Sequence, residues 1–477
     1  MMKIFGRTMR RGMPPAFLLA LGLLLAAPSG AGAAASATGT TRTIAEVTID
    51  GARIAWSAPP YVSGGVTMVP LREAAEALGA HVRWDAELRA AVMERDGDRI
   101  VHRGGTAVFA HNKAELTAQA ASRIEHGVMM VPLRGLADAL KATLSVSRSA
   151  APGEGYVIDA QPDEVSVLAT ELQAADAYLI GQDYSGLALV AVGGDTLLRK
   201  GYGLARDGVL NRPDMRSRIA SISKSFTAAA VLQLVQSGKL ALTDSIERYV
   251  PGLPGGEAIT IHMLLSHTSG LPSNFTREAG RPLAETVDEI RTKTLAFEPG
   301  SDFKYSNNGY VVLAYLIERL SGMSYGDFVA QRLTGPAGLM GTAEATPETP
   351  VIAGHIPAAD GGWEEAAYYV SQSGTGTLYS TVDDLLRWDA ALLAHELLDE
   401  TLTEAMYTPY SAKSYGYGWM IGELADETRT LFHNGSGTGY STGILRIPEQ
   451  ELTIILLGNR AGLDTLALME GVRQAMP

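Results

Sequence analysis

The chain has 477 residues, 46% hydrophobic and 19% charged, proportions that suit a globular protein and exclude extensive disorder. Its length predicts two or three domains, and its formal charge of −13 excludes nucleic acid as a natural partner. There is no cysteine, so neither disulfides nor a lipid-modified N-terminal cysteine can exist and packing alone must hold the fold.

Lys3, Arg7, Arg10 and Arg11, an apolar run from Ala16 to Ala27 and a stretch of small residues form the three parts of an export signal. The apolar run is shorter than the ~20 residues a spanning helix needs. Residues 1–37 are therefore expected to be a signal peptide, cut after Ala31-Gly32-Ala33 or Ala35-Ser36-Ala37, with an uncleaved anchor as the competing reading. The mature protein is expected to be secreted or at the cell surface, with no membrane span left after cleavage.

An internal repeat follows. Val66-Thr67-Met68-Val69-Pro70-Leu71-Arg72 returns as Val128-Met129-Met130-Val131-Pro132-Leu133-Arg134, each copy leading into a short helical pattern and then a strand pattern, His81–Trp84 and Thr143–Val146. This twofold unit resembles the copper amine oxidase N-terminal module over residues 42–160, a small α+β repeat expected to serve binding or spacing. His81, His102, His111 and His126 fall here at spacings that match no metal pattern, so a solvated or structural role is expected and no metal is predicted. Ser147–Asp163, with Pro152, Gly153, Gly155 and Pro162, reads as a linker.

Residues 164–477 read as one α+β domain. Val165–Leu179 predicts an opening helix, Leu187–Val192 and Thr196–Tyr202 a strand pair, and Ser221–Ser237 a long helix ended by Gly238. Val311–Leu320 predicts another helix. Leu431–His433, Gly443–Ile447 and Leu452–Leu457 predict late antiparallel strands, followed by a helix from Asp464. Strands at both ends and helices between them predict one sheet assembled from the two ends of the domain.

Three patterns carry chemistry. In Ser221-Ile222-Ser223-Lys224 a serine at a helix start and a lysine one turn on share a helical face, so a lysine of lowered pKa can take the hydroxyl proton. Tyr305-Ser306-Asn307 lies in a turn-rich segment suited to projecting into a cleft, and His433-Asn434-Gly435-Ser436 follows a late strand with glycines that permit close backbone approach.

In this order the three motifs resemble the beta-lactamase-like serine hydrolases, which include class C beta-lactamases, D-alanyl-D-alanine carboxypeptidases, D-amino-acid peptidases and esterases. Leu264–Leu271, Gly376–Thr381, Asp384, Arg387-Trp388 and Tyr415–Trp419 extend the resemblance over residues 164–475. It implies an antiparallel sheet flanked by helices, with a helical subdomain. It also implies Ser221 as nucleophile, Lys224 and Tyr305 as proton carriers, and an oxyanion hole from the backbone N–H groups of Ser221 and Ser436. Asn307, His433, Gly435 and Ser436 would bind substrate, and no cofactor is needed. His267 is expected to stabilise a turn. The late motif begins with His433 where beta-lactamases usually have lysine, so carboxylate recognition there is expected to be weak or pH-dependent. The expected substrate is a small molecule or peptide, such as cell-wall material, cleaved by a D-amino-acid peptidase or esterase activity. Beta-lactam hydrolysis and a catalytically inactive cell-surface binding protein are the alternatives.

Overall fold

The computed structural model describes residues 44–148, 156–162, 166–367, 374–424 and 427–477. The expected signal peptide lies outside them. No helix among the described residues is long and apolar enough to cross a membrane.

The two repeat copies meet along one strand pair. Val66–Pro70 runs antiparallel to Val128–Pro132 with Val69 opposite Val131, the same position of each copy, so the copies are related by a local twofold. Each strand enters a helix directly, Leu71–Ala77 or Leu133–Ala139, and each proline sits just before the first helical residue, where its fixed φ is tolerated. Leu71, Ala74, Leu133 and Leu136 point into a shared core with Phe109 and Ile100.

The expected linker is in part a strand. Tyr156–Pro162 pairs antiparallel with Ala142–Arg148 and parallel with Ile44–Ile49. Its glycine and proline residues masked an apolar sequence, Val157-Ile158-Asp159-Ala160, whose Ala160 is fully buried in the module's core.

In the larger domain a seven-stranded antiparallel sheet runs in the order Val167–Leu168, Asp195–Tyr202, Gly186–Val192, Leu452–Gly458, Tyr440–Ile447, Arg429–Gly437, Met420–Glu423. Gly186–Val192 pairs directly with Leu452–Gly458, so the two ends of the domain close the sheet as the sequence predicts. Both faces are covered. Leu187, Leu189 and Ala191 enter the core under the central helices, while Ala188 and Val190 enter a second core under the first and last helices, Gln173–Gly181 and Thr465–Gln474. The opening helix is shorter than the sequence predicts, because Val167–Leu168 instead extends the sheet and a 3₁₀ turn, Thr170–Leu172, intervenes. The helices Ser223–Gln236 and Asn307–Ser321 stand against each other over the other face, the first buried along most of its length and the second from Asn308 to Ala314 and at Leu316 and Ile317.

Candidate active site

Ser221 sits where a strand turns into a helix. Ser217–Arg218 pairs with Leu378–Ser380, the chain turns through Ala220 at φ +45°, and a 3₁₀ turn, Ala220–Ile222, feeds the helix Ser223–Gln236. A positive φ at alanine is strained and persists only where neighbours hold it. Here the Thr442 hydroxyl donates to the Ile219 carbonyl at 3.0 Å, and the Ile219 N–H donates to the Leu378 carbonyl at 3.1 Å. The strand carrying the late motif presses on the same turn. A methyl group at Gly435 would stand 2.6 Å from the Ile219 carbonyl oxygen.

Lys224 is fully buried one turn beyond Ser221, and its ammonium nitrogen lies 3.1 Å from Ser221 Oγ and 2.8 Å from the Thr375 carbonyl oxygen. It makes no ion pair among the described residues, and the rings of Tyr305 and Tyr310 flank it at 4.9 and 5.7 Å. Burial holds its pKa well below the usual lysine range, and the Arg277 guanidinium adds to the effect.

Tyr305 is held from both sides by His267. The Lys304 N–H donates to the His267 carbonyl at 3.0 Å, the Ser306 N–H donates to His267 Nδ1 at 3.1 Å, and the His267 and Tyr305 rings stand 4.4 Å apart. His267, expected only to stabilise a turn, thus also packs against and brackets Tyr305. Burial raises the Tyr305 pKa above the ordinary phenol value, partly offset by a hydrogen bond with Ser221 and by Arg277. The tyrosine is thus a neutral phenol with a proton to give. Ser306 caps the next helix, its Oγ accepting from the Gly309 N–H at 3.1 Å, which makes Asn307 a helix residue rather than a loop residue. The Asn307 side-chain nitrogen donates to Ser273 Oγ at 3.1 Å.

Ser221, Tyr305, Asn307 and Ser436 line one pocket of about 280 Å³. His433 and Gly435 do not. Gly435 backs the Ser221 turn, and His433 is fully buried behind the pocket. Its Nδ1 lies 2.7 Å from the Asn434 carbonyl, so that nitrogen carries the hydrogen and Nε2 accepts from the Tyr415 hydroxyl at 3.0 Å. Burial, with Lys224 nearby, lowers the His433 pKa to about 3. The histidine is neutral near neutral pH and offers no cation to the pocket there. The pocket also contains Phe275, Arg277, Thr375 and Thr438, which carried no motif in the sequence reading. Thr375 borders the Gly376–Thr381 stretch, but nothing local marks Arg277.

Residues 171–474 match the model of the Beta-lactamase family, and residues 48–151 match that of the copper amine oxidase N-terminal domain. Penicillin-binding protein 4* of Bacillus subtilis (strain 168) is 31% identical over 317 residues, 58% of this chain and 68% of that protein. A putative penicillin-binding protein of the same organism, PbpX, is 29% identical over 52% of this chain and 65% of its own length. The chain is also similar to a solved penicillin binding protein from Bacillus halodurans, with a TM-score of 0.59 and 25% identity over 63% of this chain and 99% of that one. A D-amino acid amidase from Ochrobactrum anthropi SV3 aligns with a TM-score of 0.57 and 25% identity, covering 64% of this chain and 98% of that one.

Proposed function

Because the chain belongs to the beta-lactamase family of serine hydrolases, we propose that it cleaves D-amino-acid amides, peptides or related esters through an acyl-enzyme on Ser221. The observation that carries this reading is the 3.1 Å approach to Ser221 Oγ, in the pocket, of the buried Lys224, which makes no ion pair among the described residues. The similarity to a D-amino acid amidase favours the amide and peptide branch.

The lowered Lys224 pKa and the raised Tyr305 pKa support one division of labour. Neutral Lys224 takes the hydroxyl proton as Ser221 Oγ bonds to the substrate carbonyl carbon, and the backbone N–H groups of Ser221 and Ser436 receive the oxyanion. Tyr305, a phenol with a raised pKa, donates to the leaving nitrogen or oxygen as the scissile bond breaks, and recovers its proton through Lys224. Water then attacks the acyl carbon, giving its proton to the same pair, and Ser221 leaves as the hydroxyl. Asn307 hydrogen-bonds the amide of the acyl group. We further propose residues 1–37 as an export signal, residues 42–160 as the repeat module and residues 164–477 as the hydrolase domain, which would put the enzyme among cell-wall peptides.

Intact-mass measurement of the protein after exposure to a fluorescent penicillin and to p-nitrophenyl acetate tests the reading. An adduct with either reagent, absent in Ser221→Ala, is expected, and the reagent that turns over separates amide-type from ester-type activity. No adduct with either would sink the proposal.

A further inference from the structure

The pocket is an electropositive island in an acidic protein. Arg218 and Arg277 line it, and no acidic residue lines it among the described residues, although the chain carries a formal charge of −13. A concave site of one sign with low-dielectric walls concentrates ligands of the other sign. Arg218 is engaged, donating to the Gly376 carbonyl at 3.2 Å. Arg277 differs: it is exposed, lies over the Phe275 ring at 5.4 Å, and makes no hydrogen bond or ion pair among the described residues. Its loop is also tied to the acyl-binding machinery, since Ser273, four residues earlier, accepts both the backbone N–H and the side-chain N–H of Asn307 at 3.1 Å. His433, which occupies the position of the usual late-motif cation, does not line the pocket, and both its nitrogens are satisfied by Asn434 and Tyr415.

We propose that Arg277 is the specificity-determining residue of this pocket, pairing with a carboxylate on the substrate and so selecting anionic acyl donors over neutral ones. The inference rests on the acyl-transfer reading for its chemistry and on the pocket's own charge and geometry for its selectivity. A guanidinium offers a planar fork matched to a carboxylate, and nothing else among the described residues competes for it. The charge also reaches the reaction centre, because it lowers the pKa of both Lys224 and Tyr305.

The test separates the two claims. In Ser221→Ala protein, which cannot be acylated at that residue, calorimetry would compare N-acetyl-D-alanyl-D-alanine, N-succinyl-D-alanyl-D-alaninamide and their neutral parent, N-acetyl-D-alanyl-D-alaninamide. One carboxylate-bearing ligand is expected to bind about tenfold or more tightly than the parent, with the advantage shrinking at high salt. A preference for the first places the carboxylate in the leaving group, and for the second in the acyl group. Either preference should vanish in Ser221→Ala/Arg277→Met. Equal affinities for all three ligands, or a preference that survives the loss of Arg277, would overturn the proposal. The adduct measurement on the otherwise unaltered protein judges the acyl-enzyme separately.

Discussion

Lys224 trades stability for chemistry. Its folded pKa lies well below that of an unfolded lysine, so the folded state binds fewer protons, and stability rises with pH up to the ordinary lysine value. The full cost, about 1.4 kcal/mol for each unit of depression, is reached only below the folded pKa. Lys224→Met is therefore expected to raise the melting temperature at pH 7 while removing the base proposed for Ser221. Lys224→Arg keeps a permanent cation and should lower kcat/KM by about 10²- to 10⁴-fold. The same titration fixes the pH profile. Only the neutral amine accepts the serine proton, so kcat/KM should climb as pH rises through the lowered Lys224 pKa. Because Arg277 contributes to the depression, Arg277→Met should move this acid limb to higher pH, as read from pH–rate profiles on a neutral ester. Ser221 and Lys224 were legible in the sequence because three residues of helix bring them together. Arg277 was not, because a loop 56 residues beyond Ser221 reaches the pocket only through the folded turn around Ser273 and Asn307.

Secondary-structure elements meet at the Ser221 turn, where two glycines of one strand have opposite demands. A methyl group at Gly435 would collide with the Thr442 hydroxyl and crowd the Ile219 carbonyl, whereas at Gly437 the nearest atom would be Ala220 Cβ at an ordinary 3.9 Å. Gly435→Ala is expected to cost about 1–3 kcal/mol by overpacking, read from denaturant unfolding. It should also slow acylation, on the order of 100-fold, by shifting Ser221 against Ser436. Gly437→Ala should cost little stability. The sequence marked these glycines but suggested a ligand as the reason, when for Gly435 the reason is a neighbouring backbone. The repeat was readable because Val-Pro-Leu-Arg marks both strand-to-helix junctions, and Val69 faces Val131 at the meeting point. Tyr156–Pro162 was misread because its flanking glycines and prolines signal a loop, while its strand character comes from partners as distant in sequence as Ile44–Ile49. Periodicity reports a segment's own faces. It does not report the edge on which the segment will pair.

At the scale of the whole molecule, the repeat module is joined to the hydrolase domain by charge buried between them. Lys200, fully buried on the hydrolase sheet, bonds to Asp98 of the module at 2.9 Å and to Asp176 of the opening helix at 3.0 Å. Lys141 reaches Asp98 at 2.8 Å and the Gly201 carbonyl at 2.9 Å, and His111 adds a third contact to Asp98 at 3.2 Å. Leu204 and Leu210 of the hydrolase side pack into the module's apolar core. A spacer free to swing would break this network and expose the apolar contacts of Leu204 and Leu210 to water. The two parts should therefore unfold together, in one calorimetric transition. Burial alone would raise the Asp98 pKa, but Lys141, His111 and Lys200 outweigh it and hold the carboxylate well below its usual range. That contribution is present above the unfolded carboxylate pKa and is lost as pH falls through the folded one. His111, whose pKa burial lowers despite Asp98, adds a loss that begins higher, as pH falls through the ordinary histidine value. Asp98→Asn keeps the shape and removes the anion between the buried Lys200 and the half-buried Lys141, so it should cost about 3 to 5 kcal/mol. If the cluster couples the parts, that substitution should separate the transition into two and flatten the acid dependence of the first. A melting temperature unmoved by Asp98→Asn would instead mean that the apolar contacts of Leu204 and Leu210 hold the module in place by themselves.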